Sequence, residues 1–153
     1  MQGDAMKLLV AIDTSEHAKA ALHEVRRLSW PPGTSVTLLS VVRTDLYAFG
    51  DFYAPAAQEV EILVREEKKR ADELLAALAA ELAGAGLAVS TRVEHGDPRL
   101  ILCDVAKDLG VDWLVVGSHG RRGFQKLVLG SVASHVVTHA PCSVLVVKKS
   151  PPA

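Results

Sequence analysis

Cysteine is scarce in this chain: Cys103 and Cys142 are the two present among 153 residues. Two are too few for a disulfide framework, which excludes the stapled mini-domains of the secreted world. An excess of one charge is also lacking, since 17 Lys and Arg meet 18 Asp and Glu for a net charge of −1. Nucleic-acid-binding domains show a basic excess or a basic face, so that class drops out. No apolar run approaches the roughly 20 residues of a membrane span. The start of the chain, Met1 to Lys7, has no basic stretch followed by an apolar one, so no secretory leader is expected. With 49% apolar and 23% charged residues the chain is globular in composition, and its length leaves room for one domain at roughly 100–200 residues each. The expectation is a cytoplasmic single domain that binds neither nucleic acid nor membrane.

What is present is an alternation. Residues 7–12, Lys-Leu-Leu-Val-Ala-Ile, form an apolar run that reads as a strand buried on both faces. Ala21, Leu22, Val25 and Leu28 then recur at helical spacing until Pro31-Pro32-Gly33. A second buried strand spans 36–42. A long helix follows, with Val60, Leu63, Val64, Ala71, Leu74, Leu75, Leu78 and Leu82 on one face and Glu66 paired with Arg70 on the other. After Gly84-Ala85-Gly86 comes a strand at 89–93. Asp97-Pro98 then reads as a helix cap with proline in the first turn. That helix turns Leu100, Ile101, Val105 and Leu109 inward and stops at Gly110. A strand at 113–116, a glycine-rich segment, a helix at 131–140 and a strand at 143–147 complete the chain. Strand and helix in strict alternation define an α/β protein, a doubly wound parallel sheet covered by helices on both faces.

Ligands of such sheets bind beyond the carboxyl ends of the strands, where the strand order reverses. The segment after the fourth strand is the most informative. Gly117, Gly120, Gly123 and Gly130 crowd into it, and Ser131 opens a helix. Glycines admit close backbone approach, and a helix start presents unpaired N–H groups to an anion. Arg121, Arg122 and Lys126 stand between the glycines to screen phosphate charge. The same pattern also suits a plain glycine-rich turn with Ser131 as N-cap. Neither the G-x-x-x-x-G-K-[ST] loop of NTPases nor a G-x-G-x-x-G after the first strand occurs, which excludes the P-loop and argues against a dinucleotide fold.

Gly117-x2-Gly120-x9-Gly130-Ser131 resembles the G-2x-G-9x-G-[ST] motif of the universal stress protein family, in its ATP-binding branch. Residues 7–13 resemble the family's opening strand with its terminal aspartate, Gly96-Asp97-Pro98 its Gly-x-Pro, and 139–147 its closing Ala-Pro-Cys and apolar strand. The resemblance covers residues 6–148 as one domain, leaving 1–5 and 149–153 as tails. It implies a five-stranded sheet of order 3-2-1-4-5, with ATP, alone or with Mg2+, between strands one and four. Ala11 and Asp13 would approach the adenosine, and Val41 would offer backbone hydrogen bonds to adenine. Val116, Gly117 and Gly120 would line the ribose and phosphate path. Gly130, Ser131 and Val132 would hold the terminal phosphates. Ala11 stands where many members carry proline, leaving that turn less rigid. A homodimer through the last strand, 143–147, is implied as well, and protein partners stay unnamed.

Several residues have a plainer reading beside this one. Asp13 precedes Thr14, Ser15 and Glu16, and so reads as a helix cap completed by Glu16 or as a contact to the nucleoside. His119 faces either phosphate or solvent. His135 and His139 lie four apart without the Glu or third ligand of a zinc site, and His139 suits a helix C-terminus. Cys103 and Cys142 read as small apolar fillers. The segment 43–55 holds Tyr47, Phe49, Phe52 and Tyr53, which makes it either a lid over the base or a packed turn. No acidic partner for a metal stands near the glycines, so binding with little or no hydrolysis is expected, with a slow ATPase or a phosphoryl or nucleotidyl transferase as the enzyme alternative.

Overall fold

The computed structural model describes residues 4–44, 57–120 and 128–149. Nine elements alternate: β1 (Lys7–Ala11), α1 (Glu16–Arg27), β2 (Ser35–Val42), α2 (Ala57–Ala83), β3 (Ala88–His95), α3 (Pro98–Leu109), β4 (Trp113–Gly117), α4 (Ser131–His139) and β5 (Ser143–Val147). All four strand pairings are parallel, and the order is β3-β2-β1-β4-β5. The expected fold class is the observed one.

Successive side chains of a strand point to opposite faces, and β1 shows what this does to the core. Leu8 and Val10 enter one apolar cluster with Ala21, Leu22 and Val25 of α1 and Leu75 and Leu82 of α2. Leu9 enters a second cluster with Leu102, Val105 and Ala106 of α3 and Ala133 and Val136 of α4. The sheet is therefore a partition: α1 and α2 cover one face, α3 and α4 the other. A strand buried on both sides reads as an unbroken apolar run, which is why Leu8-Leu9-Val10 shows no polar alternation.

The helices depart from expectation at their margins. Leu100 is 55% exposed rather than inward; it lies about 100° around α3 from Ile101, just off the stripe that Leu102, Val105 and Ala106 bury. α1 ends at Arg27, before the prolines, and Leu28 is its extended C-cap. The Trp30 indole donates to the Val25 carbonyl at 2.7 Å, occupying a C-terminal acceptor of that helix. In α2 the buried residues are Ala71, Leu75 and Leu82; Leu63 is 43% exposed, and the α2 residues that join the core cluster, from Ala71 to Leu82, all lie in the second half of the helix. Arg70 pairs with Glu67 at 3.1 Å and not with Glu66. Asp97 caps α3 by accepting from the Arg99 N–H at 2.9 Å, with Pro98 in the first turn as expected. Gly110 ends that helix in the left-handed region, φ 58°, which glycine adopts without penalty. Among the described residues no helix is long and apolar enough to cross a membrane.

Candidate functional site

The strand order reverses at β1, which lies between β2 and β4. The chain leaves β1 toward α1 on one face, while the α4 that follows β4 lies on the other, and a crevice opens between the two strand ends. Asp13 stands at its β1 side. One carboxylate oxygen accepts the Ser15 N–H at 2.8 Å. The cap of α1 is Ser15, whose hydroxyl accepts from the Ala18 N–H at 3.1 Å. Glu16 pairs with Lys19 instead of completing a box with Asp13. The second Asp13 oxygen faces across the crevice, and a Cβ built on Gly120 would lie 3.2 Å from it.

The glycines of the β4 exit serve the protein's own contacts. A Cβ on Gly117 would sit 2.8 Å from the backbone of His17, in the first turn of α1. One on Gly130 would sit 3.1 Å from both the Ser118 carbonyl oxygen and the His119 Cα. The Gly130 N–H is also committed, donating to that Ser118 carbonyl at 2.7 Å. Gly130, and not Ser131 as the plain-turn reading had it, is therefore the N-cap of α4, and a side chain at 130 would strike the chain itself.

The first intrahelical bond of α4 runs from the Ser134 N–H to the Gly130 carbonyl at 2.9 Å, so the N–H groups of Ser131, Val132 and Ala133 precede the ladder. Among the described residues no acidic group stands in this first turn and no side chain caps it, so none of them offsets the positive end of the helix dipole there. Ser131 is exposed and Val132 half-buried.

On the other side of β1, pairing with β2 stops at Ala11 opposite Leu39, and the Ile12 N–H reaches the Leu39 carbonyl at 2.8 Å. Backbone groups of a strand alternate sides, so those of Val41, two residues on, point the same way as Leu39 into the space that β1 has vacated. Of the site residues read from the sequence, Asp13 and Gly120 face each other, while Ala11, Val41, Ser131 and Val132 stand at the ends of β1 and β2 and at the start of α4. Val116 is 2% exposed within the second core cluster, so its side chain supports the floor. Arg121, Arg122, Lys126 and the aromatics of the 43–55 segment lie outside the described residues.

Two residues escaped the sequence reading. Ser118 is buried, and its hydroxyl lies 3.2 Å from His17 Nδ1 and 3.0 Å from His119 Nδ1. His119 Nε2 lies 2.6 Å from the Val128 carbonyl, and the two imidazoles are 5.1 Å apart. The two ring nitrogens of His119 thus point at Ser118 and Val128 of the chain itself. Elsewhere, His135 and His139 stack at 4.2 Å, and His139 ends α4 with its Nδ1–H donating to the His135 carbonyl at 3.0 Å. Cys103 and Cys142 are free and pack against the second cluster. Burial pushes both thiols up, away from the reactive thiolate.

A five-stranded parallel sheet of order β3-β2-β1-β4-β5 with helices on both faces defines a Rossmann-like α/β domain. Residues 5–148 match the model of the universal stress protein family, and the chain belongs to that family. It is 32% identical over 149 residues to universal stress protein Sll1388 of Synechocystis, covering 93% of this chain and 97% of that one. The solved universal stress protein UspA of Lactobacillus plantarum superposes with a TM-score of 0.79 at 26% identity, over 95% of this chain and 99% of that one. An Arabidopsis thaliana member solved with AMP bound shares the fold, with a TM-score of 0.63 at 21% identity over 95% and 92% of the two chains.

Proposed function

We propose that this universal stress protein binds ATP in the crevice between β1 and β4 and hydrolyses it slowly or not at all, so that the nucleotide biases shape or partner choice. The observation that carries this reading is the start of α4, which no side chain caps among the described residues, with Gly120 placed between Gly130 and Asp13. A phosphate chain at that start would accept from the N–H groups of Ser131, Val132 and Ala133 and from the Ser131 hydroxyl. The open backbone of Val41 would take the adenine edge, and Asp13 the ribose or base. The AMP in the Arabidopsis relative supports an adenosine ligand. Mg2+ would accompany the phosphates, balancing their charge.

Dedicated phosphoryl-transfer sites hold metal on protein carboxylates. Asp13 is the one carboxylate found at this crevice among the described residues, and it is partly engaged by Ser15. This favours binding over turnover. The free thiols suit a reducing, cytoplasmic setting. We further propose a homodimer joined along β5, whose outer edge pairs with no strand among the described residues and whose Val144, Leu145 and Val146 are only half-buried. Calorimetry with protein stripped of copurified ligand tests the central reading: ATP should bind at submillimolar concentration with Mg2+ present, and AMP more weakly. Absence of binding at millimolar ATP would refute it.

A further inference from the structure

The four groups around Ser118 form a hydrogen-bond chain whose direction follows from its ends. A backbone carbonyl only accepts, so His119 Nε2 carries a proton and donates it to Val128. In the neutral ring His119 Nδ1 is then bare and takes the Ser118 hydroxyl proton. With that proton spent, the Ser118 oxygen can only accept from His17, which must carry its proton on Nδ1. The chain therefore reads His17 Nδ1–H to Ser118 Oγ–H to His119 Nδ1, and His119 Nε2–H to Val128.

Its two anchors lie in different segments of the chain. His17 belongs to the first turn of α1, and its backbone rests on Gly117. Val128 lies three residues before Ser131, the first residue of α4. The Gly130 N–H bond to Ser118 runs beside this chain, so positions 128 and 130 are both tied to the two residues that follow β4.

We propose that His119 is a positioning residue for the nucleotide, holding the entry to α4 against the β4 exit through this directed chain. The proposal rests on the nucleotide reading above. His119 touches no phosphate; it sets where the three free N–H groups lie relative to Asp13.

The test combines histidine-ring nitrogen NMR at alkaline pH, amide exchange of Gly130 and calorimetric titration with MgATP, on the full chain. His119 should be protonated on Nε2 and His17 on Nδ1, the less common tautomer in water, and Ser118→Ala should release His17 from it. His119→Ala should speed exchange of the Gly130 amide about tenfold and weaken ATP by about as much, the effect of one ordinary hydrogen bond. His119→Gln, whose amide nitrogen reaches the position of Nε2, should recover both, whereas His119→Asn should not. A ring protonated on Nδ1 at His119, a Gln variant as impaired as the Ala variant, or an Ala variant that binds ATP like the wild type would each overturn the proposal. Wild-type protein that leaves ATP unbound while tautomers and exchange behave as stated would overturn the nucleotide reading instead, and with it the purpose given to His119.

Discussion

Gly117 and His17 approach each other so closely that a Cβ on the glycine would lie 2.8 Å from the carbonyl carbon, the carbonyl oxygen and the Cβ of the histidine. Real Cβ atoms do not come this near backbone. The first glycine of the motif is thus demanded by the seating of α1 on the end of β4, whatever the crevice holds. Gly117→Ala should lower stability by about 1–3 kcal/mol, the usual result of overpacking, seen as a lower urea midpoint. Among the described residues Gly120→Ala meets only the Asp13 carboxylate, and it should leave that midpoint nearly unchanged.

Gly130→Val should cost stability as well as nucleotide binding, since its side chain meets the Ser118 carbonyl and the His119 Cα at 3.1 Å. Ser131→Ala faces open space and should fold normally. Loss of its hydroxyl bond to a charged oxygen, worth about 1.5–3 kcal/mol, predicts roughly ten- to a hundredfold weaker ATP binding by calorimetry. A Ser131→Ala variant with unchanged affinity would place the phosphates elsewhere.

Asp97 predicts an acid limb of stability. Its hydrogen bonds to the Arg99 side chain hold the carboxyl below the ordinary value. A folded-state pKa below the unfolded one gives stability that is present above the unfolded pKa and lost as pH falls through the folded one. Melting temperature should therefore fall less steeply as the pH drops below about 4 in Asp97→Asn than in the wild type. At neutral pH, Asp97→Ala should cost about 0.5–2 kcal/mol through the missing cap.

The raised thiols of Cys103 and Cys142 predict slow alkylation. Less thiolate exists at neutral pH than for a free cysteine, so iodoacetamide should react several-fold more slowly with the folded protein, and unfolding in urea should abolish the difference. Mass spectrometry of the time course provides the measurement.

The proposed β5 contact predicts that Val146→Lys yields monomers by light scattering. An unprotected edge recruits another strand, and a charge there blocks the pairing. A wild type that is monomeric at micromolar concentration would remove this interface.

The parallel sheet was legible because its inner strands are buried on both sides and so appear as apolar runs too short for helices, Leu8-Leu9-Val10 and Leu114-Val115-Val116 among them. Helix margins were less so. Leu100 and Leu63 satisfy helical spacing, yet spacing fixes only the direction a residue faces, not whether anything lies there. The glycines were visible as a pattern, but their cause was not: the neighbours of Gly117 and Gly130 are atoms of His17, Ser118 and His119, known only once the chain is folded. The His17–Ser118 contact joins residues 101 apart and leaves no periodic trace.

Because the sheet separates two cores, damage on one side has little direct route to the other. The Ser118 hydroxyl is an exception, flanked by a histidine of α1, which packs with one core, and by a histidine tied to the approach to α4, which packs with the other. A cavity opened under α1, as by Val25→Ala, and one opened under α4, as by Val136→Ala, should therefore be additive in global stability yet non-additive at this hydroxyl. The crevice is the seam at which two otherwise independent halves of the molecule must agree on a common position.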